Sequence, residues 1–231
     1  MIAEFLSKRI SYGLMFLFIL LNSILLYNDI YYLLAFPLII LIIYLFIFSL
    51  DIVFLVIVFC TPLSFNFENL DLLGIGFYFP TEPLLLIFTT VFIFKSLHKR
   101  SFNKDLLHYK DPLIIIVIVQ LIWIFTSSIV SEIPVVSFKF FLARSWFMVP
   151  MIFYGIHFFK GGERPIKQFF IVFLSSIVIV TLYTLINHSM NSFSEESGHW
   201  VMWPFFKDHT SYGAILALSI PINTWLIYES K

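Results

Sequence analysis

Hydrophobic residues fall in eight long runs, approximately 10–27, 30–48, 51–64, 80–96, 112–130, 138–158, 166–187 and 208–228, separated by short polar or turn-forming clusters. In hydrocarbon every backbone N–H and C=O must find its partner within the segment, and a span takes roughly 20 apolar residues, so each run predicts a membrane helix. The pattern therefore predicts an all-α polytopic membrane bundle of about eight transmembrane helices. The stretch from Ile30 to Leu63 is almost unbroken, yet drawn as one helix its 34 or so residues would reach about 51 Å against a hydrocarbon core of about 30 Å. A hairpin turning at Ser49-Leu50-Asp51 is expected instead.

The distribution of charge orients this bundle. Lys8 and Arg9 precede the first run, and Lys95, Lys99, Arg100, Lys104 and Lys110 follow the fourth, which an even number of crossings places on the same cytoplasmic side. Adding Lys160, Arg164, Lys167 and Lys231 puts eleven of the fourteen basic residues on that side, with both termini. The opposite connections carry Asp29, Glu68, Asp71, Glu132, Glu195 and Glu196, with Tyr27, Tyr31, Tyr32, Trp200 and Trp203 placed as interfacial anchors. Met1–Arg9 offers no small-residue cleavage site, so the first run reads as a retained signal anchor. Two outer connections, around 65–79 and 188–207, are long enough to have structure of their own, and Leu72–Phe79 could dip into the interface.

Composition agrees and narrows the function. A hydrophobic fraction of 60% with 12% charged residues does not suit a water-facing globule. Net charge is +0, so no whole-protein field for nucleic acid exists. The single cysteine, Cys60, excludes an intramolecular disulfide framework and a cysteine-based zinc site. Phosphate-loop, GxSxG, HExxH and paired-carboxylate motifs are absent from the sequence, and no cofactor or metal is called for.

Three cations break the inside bias: Lys139, Arg144 and Lys207. Arg144 sits well inside the sixth run, where arginine costs up to about 3 kcal/mol at a helix centre, so something must compensate it. It either snorkels outward or pairs with a carboxylate such as Glu132, or it meets an anion entering from the outer leaflet, for which a planar five-donor fork is suited. The even-numbered helices begin on the outer face and aim their positive dipole ends there, which favours the anion. In the eighth run Asp208 suits an N-cap before His209-Thr210-Ser211, Tyr212 and Gly213 share the first turn with His209, and Gly213, Ala217 and Pro221 make a small-residue face for helix contact. His209 is a weak candidate for proton transfer or substrate contact. Gln120 and Ser127, with Trp123 beside them, form one polar stripe and Thr181, Thr184 and His188 another, both explained by interhelical hydrogen bonding. His98 and His108 accompany the cytoplasmic basic cluster, which would touch anionic membrane lipids.

Three stretches, GFYFPTEPLLL at 76–86, FKFFLARSWFMVPMIFYG at 138–155 and above all WPFFKDHTSYGAILALSIP at 203–221, resemble the O-antigen ligase and polymerase superfamily of bacterial inner-membrane glycosyltransferases. The resemblance implies transfer of a glycan from an undecaprenyl-pyrophosphate carrier to a lipid A-core or polysaccharide acceptor on the periplasmic side. It implies that Arg144 neutralises the carrier pyrophosphate, with Lys139 and Lys207 as helpers. Family members have about a dozen helices and a late periplasmic loop bearing the acceptor-activating histidine, so the resemblance also implies that this chain is an N-terminal portion and that His209 is not that histidine. The alternatives are a lipid-linked oligosaccharide flippase or other transporter, and a non-catalytic membrane subunit.

Overall fold

The computed structural model describes residues 2–28, 31, 33, 36–66, 78–98 and 112–229. The basic residues Lys99, Arg100, Lys104, Lys110 and Lys231, with Asp29, Tyr32, Glu68, Asp71, His108 and the stretch 72–77, lie outside the described residues, as do the side chains of Lys8 and Arg9. The chain is mostly helical and divides into two units, Met1–Ser49 and Leu50–Lys231.

The first unit holds α1 (Ile2–Tyr27) and α2 (Phe36–Phe48). Phe18 of α1 stacks on Phe36 of α2 at a ring separation of 6.3 Å, and Ser49 closes α2 by donating its N–H to Leu45.

The second unit contains α3 (Leu50–Cys60), a two-stranded hairpin of β1 (Phe65–Asn66) and β2 (Tyr78–Phe79), α4 (Thr81–His98), α5 (Pro112–Ile129), α6 (Pro134–Phe159), α7 (Glu163–Met190), a 3₁₀ turn at Ser197–His199, and α8 (His209–Glu229). The strands pair antiparallel, Phe65 opposite Phe79 and Asn66 opposite Tyr78. Of these helices α4 to α8, five in all, are long and apolar enough to cross a membrane.

Local chemistry explains where the helices depart from the predicted runs. The third run was expected to reach 64, but Pro62 has no N–H to give, so α3 stops at Cys60 and the hydroxyls of Thr61 and Ser64 bond back to the carbonyls of Ile57 and Cys60. The sixth run was expected from 138, yet α6 starts at Pro134, where a fixed φ and a missing donor suit the first turn. Its interior is not uniform either, because Val149–Tyr154 is a π-helical turn. Pro150 cannot donate to the carbonyl of Trp146, four residues back, and Thr89 of α4 donates its hydroxyl there instead, at 3.0 Å. A helix defect is thus converted into an interhelical bond.

The core forms around α3, which packs between α4 and α7 and buries Val53, Phe54, Ile57 and Val58. Phe54 is 1% exposed and meets the rings of Phe88, Tyr154, Phe158 and Phe169 at 5.1–6.2 Å. Tyr154 caps this cluster by donating its hydroxyl to Asp51 at 2.7 Å. Outside the cluster α5 packs on α6 and α8 packs on α7.

These contacts sort the ends of the second unit. At one end lie Asp51, Tyr154, the α6–α7 turn with Gly162 at φ 87°, and the 2.7 Å ion pair of Lys167 with Glu229. At the other lie the β hairpin, the Ser64 to Thr81 hydroxyl contact, the α5–α6 turn and the connection between α7 and α8. We call these the Asp51 end and the hairpin end.

Candidate functional site

The polar groups left over by the fold gather at the hairpin end. A four-residue turn joins α5 to α6, so the C-terminus of one and the N-terminus of the other must lie side by side, and their serines meet. Ser137 donates to Ser131 Oγ at 2.6 Å, the Ile133 N–H donates to the same oxygen at 3.2 Å, and the Ser128 proton has the carbonyls of Ile124 and Ser137 in reach at 2.7 and 3.0 Å. Ser131 therefore accepts twice, and among the described residues its own proton has no acceptor and the Ser127 hydroxyl has no partner. Both line an open cleft of about 570 Å³ with Trp123, Val136, Ser137 and Phe140. Trp123 is 72% exposed, so an aromatic face is offered beside free hydroxyl groups. Of the expected Gln120 and Ser127 stripe, Ser127, with Trp123 beside it, faces this cleft.

Arg144 adjoins the same cleft through Phe140. Its Cα lies ten residues into α6, roughly 15 Å from the helix start at 1.5 Å per residue. The guanidinium reaches back one turn, with Cζ 5.7 Å from the centre of the Phe140 ring, and is exposed. This follows from the tilt of helical side chains toward the N-terminus, and the ring contributes a cation–π attraction. Among the described residues no carboxylate lies within ion-pair distance of Arg144, and Glu132 does not reach it.

Lys139 is placed differently. Its charge acts on the Glu82 carboxylate at the start of α4, which also accepts the Tyr78 N–H, while Glu82 Oε2 is buried without a hydrogen-bond partner among the described residues.

The segment between α7 and α8 has a definite form. Asn187 donates to the Val201 carbonyl at 2.9 Å, Tyr183 donates to that of Trp203 at 2.8 Å, and Val201 and Met202 are buried. At its end Asp208 caps α8. Oδ1 accepts from the Thr210 hydroxyl and, at 2.7 Å, the Ser211 N–H, and Oδ2 accepts from the Ser211 hydroxyl at 2.8 Å. With the Thr210 hydroxyl contributing most, these donors hold the Asp208 carboxyl at about 2, well below the usual carboxylate range. His209 is exposed, and its Nδ1 lies 3.3 Å from Nδ1 of His199. Lys207 is exposed, Tyr212 packs on Phe206 at 5.5 Å, and a Cβ added to Gly213 would meet no atom within 4 Å, so the small-residue face of α8 has no neighbour at that position among the described residues.

The structure places the Arg144 guanidinium over Phe140, a residue that lines the α5–α6 cleft, and joins His209 to His199. Among the helices, α6 packs on α4, α5 and, at its end, α7, while α8 packs on α7. Three participants were not legible as such in the sequence: His199, the Ser131–Ser137 pair, and the Glu82 carboxyl within the field of Lys139. Four serines bracketing a short helix-to-helix turn, and two histidines bracketing a Trp-Pro connection, were the available signs. No family model matches the chain, and neither a curated protein nor a solved structure matches it.

Proposed function

We propose that this protein is a multi-pass inner-membrane glycosyltransferase of the O-antigen ligase and polymerase type, whose α5–α6 cleft and Arg144 receive a polyprenyl-pyrophosphate-linked glycan at the periplasmic face. The observation that carries the reading is Arg144, an arginine deep in an apolar helix, drawn over Phe140 toward the hairpin end and facing no protein carboxylate among the described residues. An intramembrane cation without an internal counter-ion calls for one from outside, and a diphosphate matches the guanidinium fork. Sidedness supports this reading. The described Asp51 end carries Lys95, Lys160, Arg164 and Lys167 against Asp51, Glu163 and Glu229, whereas the hairpin end carries Glu82, Glu132, Glu195, Glu196 and Asp208 against Lys139, Arg144 and Lys207. By the positive-inside rule the hairpin end faces the periplasm.

In this mechanism the guanidinium stabilises charge that grows on the departing pyrophosphate as the glycosidic bond to it breaks, lowering the transition state more than the ground state. Trp123 offers a ring face for a pyranose, and Ser127 and Ser131 offer hydroxyl groups. The acceptor is a lipid A-core or polysaccharide hydroxyl. Lys139, whose charge acts on the Glu82 carboxyl, and Lys207, which is exposed, add positive charge that attracts the anion.

The test is binding of undecaprenyl pyrophosphate to the chain in nanodiscs. Arg144→Ala is expected to weaken binding at least tenfold, worth about 1.4 kcal/mol, and Arg144→Lys to recover only part of it. Equal binding by wild type and the alanine variant would remove the pyrophosphate role. A second reading, a lipid-linked oligosaccharide flippase, is favoured by a separate cavity of about 620 Å³ at the Asp51 end, lined in part by Asp51, His157, Lys160 and Gln168. Movement of the labelled carrier across proteoliposomes would select that reading.

A further inference from the structure

The His199 and His209 side chains stand apart from the Arg144 cleft, and nothing in the proposed transfer reaction uses them. They come from separate elements, the 3₁₀ turn Ser197–His199 and the first residue of α8, yet their Nδ1 atoms lie 3.3 Å apart with ring centroids at 4.6 Å. Both are exposed. Two imidazole nitrogens bound to one tetrahedral ion at 2.0–2.1 Å are separated by about 3.3–3.4 Å. The two Nδ1 atoms are within hydrogen-bond distance of each other, and the same 3.3 Å separation matches that bite.

We infer that His199 and His209 form a binding site for a divalent transition-metal ion, zinc being the best match, with water in the remaining positions. Imidazole nitrogen suits first-row ions of borderline softness and does not suit calcium or magnesium. Asp208 is next to His209 in the chain, and Glu195 and Glu196 lie in the same connection, so the surrounding segment carries acidic side chains. Lys207 is the opposing charge. Because the Asp208 oxygens are committed to capping α8, the carboxylate acts through its field and not as a ligand. No group of three or more metal-binding side chains occurs among the described residues, so the site is a two-histidine clip and its affinity will be below that of a closed structural zinc centre. An ion held there would tie the α7–α8 connection to the start of α8.

Cobalt(II) titration of the full chain in detergent tests this, using a purification tag without histidine and a Cys60→Ser background that removes the lone thiol. The expected result is one cobalt per chain, visible absorption bands of a nitrogen-ligated low-coordinate ion, and displacement by zinc. His199→Ala and His209→Ala should each weaken binding at least tenfold, while His188→Ala, in the same region, should leave it unchanged. Absence of the bands in the wild-type chain would overturn the site without recourse to any variant, and so would equal loss in all three variants. Retention of wild-type binding by either pair variant would overturn it as well.

Discussion

The two ends of the Leu50–Lys231 unit handle polar groups in opposite ways. At the Asp51 end the Tyr154 hydroxyl is spent on Asp51, Lys167 on Glu229, and the rings around Phe54 exclude lipid and water alike. At the hairpin end Arg144 rests on an aromatic ring instead of a carboxylate, the Ser127 hydroxyl has no partner among the described residues, Trp123 is largely exposed, and two imidazoles touch at the surface. Groups that satisfy one another make a fold; groups held in place but left open make a site. The aromatic cluster supplies rigidity for side chains presented elsewhere on the same helices, since α6 carries both Tyr154 and Arg144.

The sharpest way to break this contrast is to truncate one ring at each end. Phe54→Ala opens a cavity among four aromatic rings and should cost about 3 kcal/mol in reversible unfolding in mixed micelles. Trp123→Ala removes a ring that is 72% exposed and should change stability by less than about 0.5 kcal/mol. If the order were reversed, the aromatic cluster would not be what holds the unit together, and the cleft would be structural.

A smaller effect is expected at Thr89. Thr89→Val keeps the shape but removes the only described donor from α4 to the Trp146 carbonyl, and interhelical bonds of this kind contribute about 0.6–1.7 kcal/mol. Destabilisation near 1 kcal/mol, measured by the same unfolding assay, would show that the π turn depends on α4, whereas no change would mean that α6 satisfies the carbonyl itself. This bond also marks the limit of what the sequence tells. Apolar runs reveal helices because burial in lipid acts residue by residue, and α5 and α7 start and end within about three residues of their runs. Pro150 was visible in the sixth run, but its consequence needs a hydroxyl 61 residues away in the chain, and no local pattern gives that pairing. The same holds for the site. Arg144 is conspicuous because a charge in an apolar run is costly wherever it sits; His199 and Glu82 become meaningful only through long-range partners, and their isolated positions in the sequence carry no sign of them.

The finest discrimination concerns Asp208, where the structure makes a statement about acid. A carboxyl held at about 2 in the folded chain and near 3.8 when released contributes stability that is fully present above about 4 and is lost as pH falls through 2. Lowering pH through that window should therefore loosen the first turn of α8, and hydrogen exchange at the Ser211 amide, which donates to Asp208 Oδ1, is the local reporter. Asp208→Asn keeps an effective N-cap, so at neutral pH the Ser211 amide should remain protected, but its acid response between pH 4 and 2 should flatten because the amide does not titrate. Asp208→Ala should lose protection at every pH. Should the aspartate and asparagine chains respond to acid alike, the titrating group lies elsewhere, and the fixed negative charge assigned to this edge of the hairpin end would have to come from Glu195 and Glu196.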